Sequence, residues 1–336
     1  MRSYHANLGG GIGGLTVREH DVPQPGPGQA LVRVWASSLS YRELMILRGW
    51  YPLPIKDDVV PISDGAGEVA AIGEGVSRVS VGDRVAAAVF PRWIDGRLTT
   101  DVADQLGGSL DGMLTEYALL DANALVRIPD CLSYEQAATL PCAGVTAWHA
   151  LNGGRGLRAG ETVLTLGSGG VSLFAIQLAK AFGARVIATA GSSEKAGRLR
   201  ALGADEAIDY RATPNWHELV RELTDGGVDH VIEVAGQLEQ SVHATAPNGE
   251  IAFVGLLSDG GAGLPSLDPR LLWLSGADIR TVAVGTRAHF EAMTRAIEVN
   301  AIEPVIGRVF RFDEAIDAYR YYESARPFGK VVIAHS

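Results

Sequence analysis

The chain has 336 residues, enough for two domains and for a sizeable buried core. Apolar residues make up 47% and charged residues 20%, which excludes a disordered or fibrous chain, and 41 glycines point to tight turns and backbone-built binding loops. A net charge of −10 argues against a nucleic-acid binder. The lack of any stretch of about 18 apolar residues or of a signal-peptide core argues against a membrane, and the presence of only Cys131 and Cys142 points to a reducing, cytoplasmic setting.

Residues 15–143 read mostly as β. Strand-like runs at 15–20 and 30–37 flank the turn cluster Pro23-Gln-Pro-Gly-Pro-Gly-Gln29, and further runs fall at 68–72, 81–89 and 115–120. One helix, at 41–47, interrupts a pattern that otherwise suits a partly closed barrel or sandwich. After Pro141 the rhythm changes. Apolar runs at 162–166, 185–190, 228–234, 250–255 and 278–284 alternate with helical periodicity, as a parallel sheet covered on both faces requires. Val171, Ala175, Leu178 and Phe182 mark one helical face ended by Gly183, and Asn215 with Glu218 reads as a capping box for a helix through 223. A helix at 286–299, a short one near 313–323 and a strand at 330–334 close the chain. The layout is a β-rich domain, an inserted α/β domain, and a return to the first.

The most informative segment is Thr162-Val-Leu-Thr-Leu-Gly-Ser-Gly-Gly-Val-Ser172, where a strand runs into Gly167, Ser168, Gly169, Gly170 and Val171 and a helix leaves. Glycines there let backbone amides approach a pyrophosphate seated on the positive end of the helix. Gly9-Gly-Gly-Ile-Gly-Gly14 fits the same spacing, but with no apolar strand before it and no helix after it, a hairpin loop is the expectation. The strand after the first helix ends Ile187-Ala-Thr-Ala-Gly-Ser-Ser-Glu-Lys195, without the carboxylate that binds a ribose 2′-hydroxyl. Ser192, Ser193 and Lys195 suit a 2′-phosphate, so NADP(H) is preferred over NAD(H). Ser192 or Ser193 as a helix N-cap and Lys195 as a solvated first-turn charge are the bland alternative.

With these segments in hand, the sequence resembles the medium-chain dehydrogenases/reductases over nearly its whole length. The motifs are the run from Pro25 to Val34, Asp64-Gly-Ala-Gly-Glu-Val69, Val81-Gly-Asp-Arg-Val85, Cys142-Ala-Gly-Val-Thr-Ala147 and Gly167-Ser-Gly-Gly-Val171. Tyr41-Arg-Glu-Leu-Met-Ile-Leu-Arg-Gly-Trp-Tyr-Pro52 and Phe328-Gly-Lys-Val-Val-Ile333 are similar to the zinc-independent alcohol dehydrogenase and quinone oxidoreductase branches. The resemblance implies an α/β chain with a GroES-like catalytic domain (1–143 and 285–336) and a Rossmann doubly wound cofactor domain (144–284), with nicotinamide in the cleft between them. It also implies a homodimer joined near 280–284. Thr146, Val254, Gly255, Leu256 and Val284 are expected near the nicotinamide, Val234 and Gly236 near the ribose, Lys195 and Tyr210 at the 2′-phosphate, and Lys330 among the cofactor contacts.

In zinc-dependent relatives a cysteine, a histidine and a second cysteine bind the catalytic ion; by motif the three positions hold Ser40, Ser63 and Cys142 here, and the four-cysteine structural lobe is missing. A metal-free protein is therefore expected, with Cys142 a packing residue. Charge developing on a substrate oxygen then needs a hydrogen-bond or proton donor, and Ser40, Tyr41, Ser63 and Tyr51 are the candidates. Each has a structural alternative: the serines as caps, Tyr41 as a buried ring starting its helix, Asp64 as an acceptor for loop amides. Arg42 with Glu43 reads as a plain surface pair, Trp50 and Trp93 as substrate wall or core, and His149 and His230 as structural. Three functions compete: an NADPH-dependent reductase of quinones, enones or activated carbonyls, an NAD⁺-dependent alcohol dehydrogenase, and a slow cofactor-binding scaffold. The partner is a small molecule, with neither nucleic acid nor membrane.

Overall fold

A computed structural model describes residues 1–7, 9–255, 267–325 and 327–335, and the chain divides into Met1–Val145 with Val284–Ser336, and Thr146–Ala283. In the first unit, Arg2–Ala6 pairs antiparallel with Leu15–Glu19, and the glycine run between them closes the hairpin through a 3₁₀ turn at Ile12–Gly14. A strand does precede this run, against expectation. It is followed by another strand, so no helix N-terminus faces the glycines.

The rest of this unit is built around Gln29–Leu39, an 11-residue strand that pairs with Asp64–Ile72, Tyr117–Asp121 and Lys330–Ala334. Its sheet is seven-stranded and extends through Ile306–Arg311 at one side and through Arg84–Ala87 and Leu125–Arg127 at the other. The strand runs two residues past its predicted end because Ser38 and Leu39 are paired with Val332 and Val331, a contact no local propensity reveals. Gly67 faces Val34 in this sheet, and a Cβ there would stand 2.0 Å from the Arg33 carbonyl oxygen, so glycine is required. One core lies under Tyr4, Leu39, Leu47, Phe312, Tyr319 and Ile333, another under Val32, Val69, Val85, Met113 and Leu125.

The second unit carries a six-stranded, all-parallel sheet in the order Glu206–Asp209, Arg185–Ala190, Thr162–Leu166, Val228–Glu233, Thr245–Phe253, Asp278–Thr281. The order reverses beside Thr162–Leu166, which makes the carboxyl end of that strand the switch point where open α/β sheets bind ligands. This is the Rossmann arrangement. Helix Gly170–Ala181 buries Ala175 and Leu178 of the expected face together with Ser172, Leu173, Phe174, Ile176 and Ala179, while Val171 and Phe182 are only half-buried. Gly183, at φ +78°, stops it as expected. Helix Trp216–Thr224 forms without the anticipated cap, since the Asn215 side chain makes no capping hydrogen bond, and it is held by buried Trp216 and Val220. Among the described residues no helix is long and apolar enough to cross a membrane.

Candidate functional site

Two constellations stand out, one in each unit. In the second, the strand Thr162–Leu166 ends at Gly167, whose φ of +81° only glycine adopts freely and whose amide donates to the Thr189 carbonyl at 2.9 Å. Gly169 precedes the helix with no side-chain cap, so the first-turn amides beside Gly170 and Val171 are left for an external acceptor. A Cβ on Gly167 or Gly169 would meet nothing within 4 Å, which leaves open space above the corner, while Ser172 Oγ donates to the Leu166 carbonyl at 2.6 Å and clamps helix to strand. Ser168 is half-buried beside it. This corner fits a dinucleotide pyrophosphate.

At the neighbouring strand end, Ser192 caps helix Ser193–Ala201 by accepting from the Lys195 amide at 3.2 Å, and Tyr210 leaves the next strand with its hydroxyl 2.7 Å from where a Gly191 Cβ would stand. Gly191, Ser192, Lys195 and Tyr210 therefore share one end of the sheet. Asp209, which no motif singled out, stands here as well, its carboxylate accepting from Ser193 Oγ at 3.0 Å and from the Arg211 amide at 3.0 Å. Its pKa lies below the usual carboxylate range because those hydrogen bonds outweigh desolvation.

Further along the sheet, Glu233 folds back on its own loop, accepting from the Ala235 and Gly236 amides at 2.6 and 2.8 Å and from Ser241 Oγ at 2.8 Å; burial raises its pKa. Val234 and Gly236 ride on this turn, Val254 bonds back to the Glu233 carbonyl, and a Cβ on Gly255 would press within 2.9 Å of the Gly236 amide. Thr146 is buried in the same unit, and Leu256 lies outside the described residues. Buried His230 meets Glu161 at 3.2 Å and is pushed toward its neutral form by desolvation, as befits a structural histidine.

The first unit supplies a buried polar cluster. Ser40 ends the long strand and opens helix Tyr41–Leu47, in which every residue from Arg42 to Leu47 is buried. Arg42 and Glu43 are therefore not a surface pair: at 3% and 1% exposure their side chains meet at 2.8 Å, because the short helix lies inside the unit. Arg42 also donates to Gln105 Oε1 at 2.9 Å and stacks over the Tyr51 ring. Its guanidinium is held firmly charged, the attraction of Glu43 outweighing desolvation. Glu43 accepts from the Ile62 amide at 3.2 Å and the Ser63 amide at 3.4 Å, and so clamps a turn in which Ile62 sits at φ +70°, a strained conformation for a β-branched residue.

That clamp presents Ser63 and Asp64. Ser63 Oγ donates to Asp64 Oδ1 at 2.9 Å and is fully buried, and Ser40 Oγ lies 3.3 Å from Asp64 Oδ2. Asp64 accepts from side chains rather than from the expected loop amides; burial and then Glu43 raise its pKa against the pull of Lys330. Lys330, expected among the cofactor contacts, is 3% exposed and donates inside this cluster: to the Leu39 carbonyl at 2.7 Å, Ser40 Oγ at 2.7 Å and Asp64 Oδ2 at 3.2 Å.

Cys142 borders the cluster on a π-helical turn, Leu140–Gly144, and its thiol is pushed up to about 12, first by burial and then by Asp64. Tyr322, another residue sequence reasoning missed, faces the same negative groups and is likewise raised, mainly by burial. Tyr41 and Tyr51 are half-buried, Trp93 is core against Phe90, Trp50 is exposed, and Val284 (φ +45°) packs on the Phe90–Trp93 cluster. Two hydroxyls, a thiol held protonated and a carboxylate already on a lysine make a poor donor set for zinc, which takes thiolates and imidazoles.

Comparison with known proteins matches residues 26–130 to the alcohol dehydrogenase GroES-like domain and residues 170–299 to a family described as zinc-binding dehydrogenase. The chain is 43% identical over 333 residues to a zinc-type alcohol dehydrogenase-like protein of Schizosaccharomyces pombe, covering 96% of each. It is 37% identical over 250 residues to a quinone oxidoreductase of Pseudomonas aeruginosa, covering 73% of this chain and 70% of that one. A crystal structure of an NAD-dependent alcohol dehydrogenase superposes with a TM-score of 0.90 at 34% identity, covering 100% of both chains.

Proposed function

Because the chain belongs to the medium-chain dehydrogenase/reductase family of oxidoreductases, we propose that it is a metal-independent, NADPH-dependent reductase of quinones, enones or activated carbonyls. When bound, the cofactor supplies a hydride. The corner at Gly167, Ser168, Gly169, Gly170 and Val171 holds its pyrophosphate, Ser192, Lys195 and Tyr210 take the 2′-phosphate, and Thr146, Val234, Gly236, Val254 and Gly255 line the rest of its path. In the first unit, Ser63 is a positioning residue, since it is fully buried with its proton on Asp64. Half-buried Tyr51, with the Arg42 guanidinium 5.1 Å from its ring centroid, donates the proton or hydrogen bond to the substrate oxygen, and Ser40 and Tyr41 assist.

The observation that carries this reading is that the three positions where zinc-dependent relatives place their ligands hold Ser40, Ser63 and Cys142, two hydroxyls and a thiol held protonated by burial that suit a Lewis-acid ion poorly. The test is NADPH oxidation across a panel of quinones, enones and aldehydes before and after exhaustive chelation. Unchanged turnover is expected; loss on chelation with recovery on adding zinc refutes it. The enzyme works as a homodimer through the edge strand Asp278–Thr281 and in the cytoplasm, a setting supported by two free cysteines.

A second reading, an NAD⁺-dependent alcohol dehydrogenase, is favoured by Asp209, whose carboxylate stands on Ser193 where a 2′-phosphate would be repelled. Initial rates with NAD(H) and NADP(H) on one substrate separate the two.

A further inference from the structure

We propose that Gln105 is a positioning residue for Tyr51, acting through Arg42: its side chain fixes the guanidinium that lies over the tyrosine ring. The proposal rests on the reading of Tyr51 as the donor to the substrate oxygen and names what holds that donor in place.

The loop that carries Gln105 is built to bury it. The Gln105 amide donates to Ser109 Oγ at 3.0 Å, its carbonyl accepts from the Leu110 amide at 3.0 Å, and the next residue, Leu106, donates to the Val89 carbonyl at 2.9 Å. Two glycines make the room. Gly107, at φ +64°, lies so close to the Ile62–Ser63 turn that a Cβ would stand 2.7 Å from the Ile62 carbonyl carbon. A Cβ on Gly108 would stand 2.8 Å from Gln105 Cγ and Cδ, so a larger residue there has to displace the glutamine side chain. With glycine at both places, Gln105 is fully buried.

That burial achieves orientation. A guanidinium is planar, and hydrogen bonds from two of its nitrogens fix the plane. Arg42 Nη1 donates to Glu43 Oε1 at 2.8 Å and Nη2 to Gln105 Oε1 at 2.9 Å, and the cation so held stands 5.1 Å from the Tyr51 ring centroid. Without Gln105 the group hangs from Glu43 alone and can swing about that contact. The hydrogen-bond inventory points the same way. Gln105 Nε2 is buried with no acceptor among the described residues, a cost that an apolar side chain of similar length would not carry. What the glutamine contributes is its Oε1.

The experiment is a double-mutant cycle of Gln105→Met and Tyr51→Phe, read as kcat and KM for NADPH oxidation with the best substrate of the panel above. Gln105→Met should lower kcat about tenfold with KM changed less than about twofold, and should shift the melting temperature by less than about 3 °C, since the lost Arg42 bond and the relieved Nε2 nearly offset each other. In the Tyr51→Phe background the same substitution should lower kcat less than about twofold, because its effect passes through the tyrosine. Equal losses in the two backgrounds overturn the proposal. A second readout needs no turnover: nitration by tetranitromethane, mapped by mass spectrometry. In Gln105→Met it should be at least about threefold faster at Tyr51 and unchanged at Tyr134, which is half-buried against Trp35. An unchanged rate at Tyr51, or an equal rise at both tyrosines, overturns the proposal. Should Gln105→Met fail to fold, Gly108→Ala, whose Cβ displaces the same side chain, takes its place under the same criteria. Tyr51→Phe with unaltered kcat strikes the donor reading instead, and the nitration contrast still decides whether Gln105 holds the ring.

Discussion

Replacing Glu43 with alanine tests the buried clamp. The substitution leaves the Arg42 guanidinium, 3% exposed, with only Gln105 and the Tyr51 ring, and it removes the carboxylate that accepts the Ile62 and Ser63 amides. Breaking a fully buried ion pair by removing one partner costs about 3–5 kcal/mol, with no discount for solvent because neither group reaches it. The two amide bonds, at 3.2 and 3.4 Å, are long. They add about 1 kcal/mol, part of which is already counted, since the groups are coupled. A net loss of about 4 kcal/mol follows, or a fall of about 8 °C in melting temperature at roughly 2 °C per kcal/mol for a unit of this size. Calorimetry and chemical denaturation measure it. The double variant Arg42→Met/Glu43→Leu should regain more than half, because a matched apolar pair leaves no stranded charge. A fall under about 2 °C in the single variant, or no recovery in the double, would refute the view that this pair is a closed, desolvated unit.

Lys195→Ala should weaken NADPH binding by about tenfold, equivalent to about 1.4 kcal/mol, and leave NADH binding nearly unchanged; equal losses in fluorescence titrations would deny it the 2′-phosphate. Gly167→Ala should cost only about 1–2 kcal/mol of stability, from strain at φ +81°, yet reduce NADPH affinity by a larger factor because its Cβ enters the open cradle; intact binding would count against the corner. His335, buried on Ser37 Oγ and the Thr115 carbonyl, has its pKa pushed down to about 3 by desolvation, below its unfolded value. Its contribution is therefore fully present above about pH 6.5 and lost as pH falls toward 3, with a slope approaching 1.4 kcal/mol per pH unit. His335→Gln should flatten the stability profile in that window, and an unaltered slope would show that other groups govern acid unfolding.

Much of this architecture was legible because its signals are local. The strands Thr162–Leu166 and Arg185–Ala190, helix Tyr41–Leu47 and the tail Lys330–Ala334 begin and end where apolar runs and glycines predict. The glycine corner was readable for the same reason: a left-handed Gly167 between a strand and a helix is a short-range requirement. What escaped is non-local. The run at 81–89 shortens to Arg84–Ala87 because those residues are the ones that enter strand ladders, with Asp64–Ile72 and Leu125–Arg127. Helix Gly170–Ala181 is buried over more than the expected face because it is apolar nearly all round, so periodicity alone does not mark how far the packed side extends.

The polar cluster shows the same limit more sharply, and it bears on how a missing metal ligand is read. From the chain alone, Ser40 and Ser63 signal a loss, two positions where softer ligands would be needed. Neither residue predicts what meets it, because Lys330, which donates to Ser40, lies 290 positions away on a strand whose pairing only the fold reveals. A lysine in a β-strand, flanked by glycine and two valines, carries no local sign that its ammonium is buried. Burying it without partners would be prohibitive, so its burial is informative only once Leu39, Ser40 and Asp64 are seen around it. Arg42 and Glu43 misled for the matching reason: adjacent opposite charges on a short helix look solvated until every face of that helix is covered. In both pairs the chain keeps charge inside by supplying the counter-charge from its own residues.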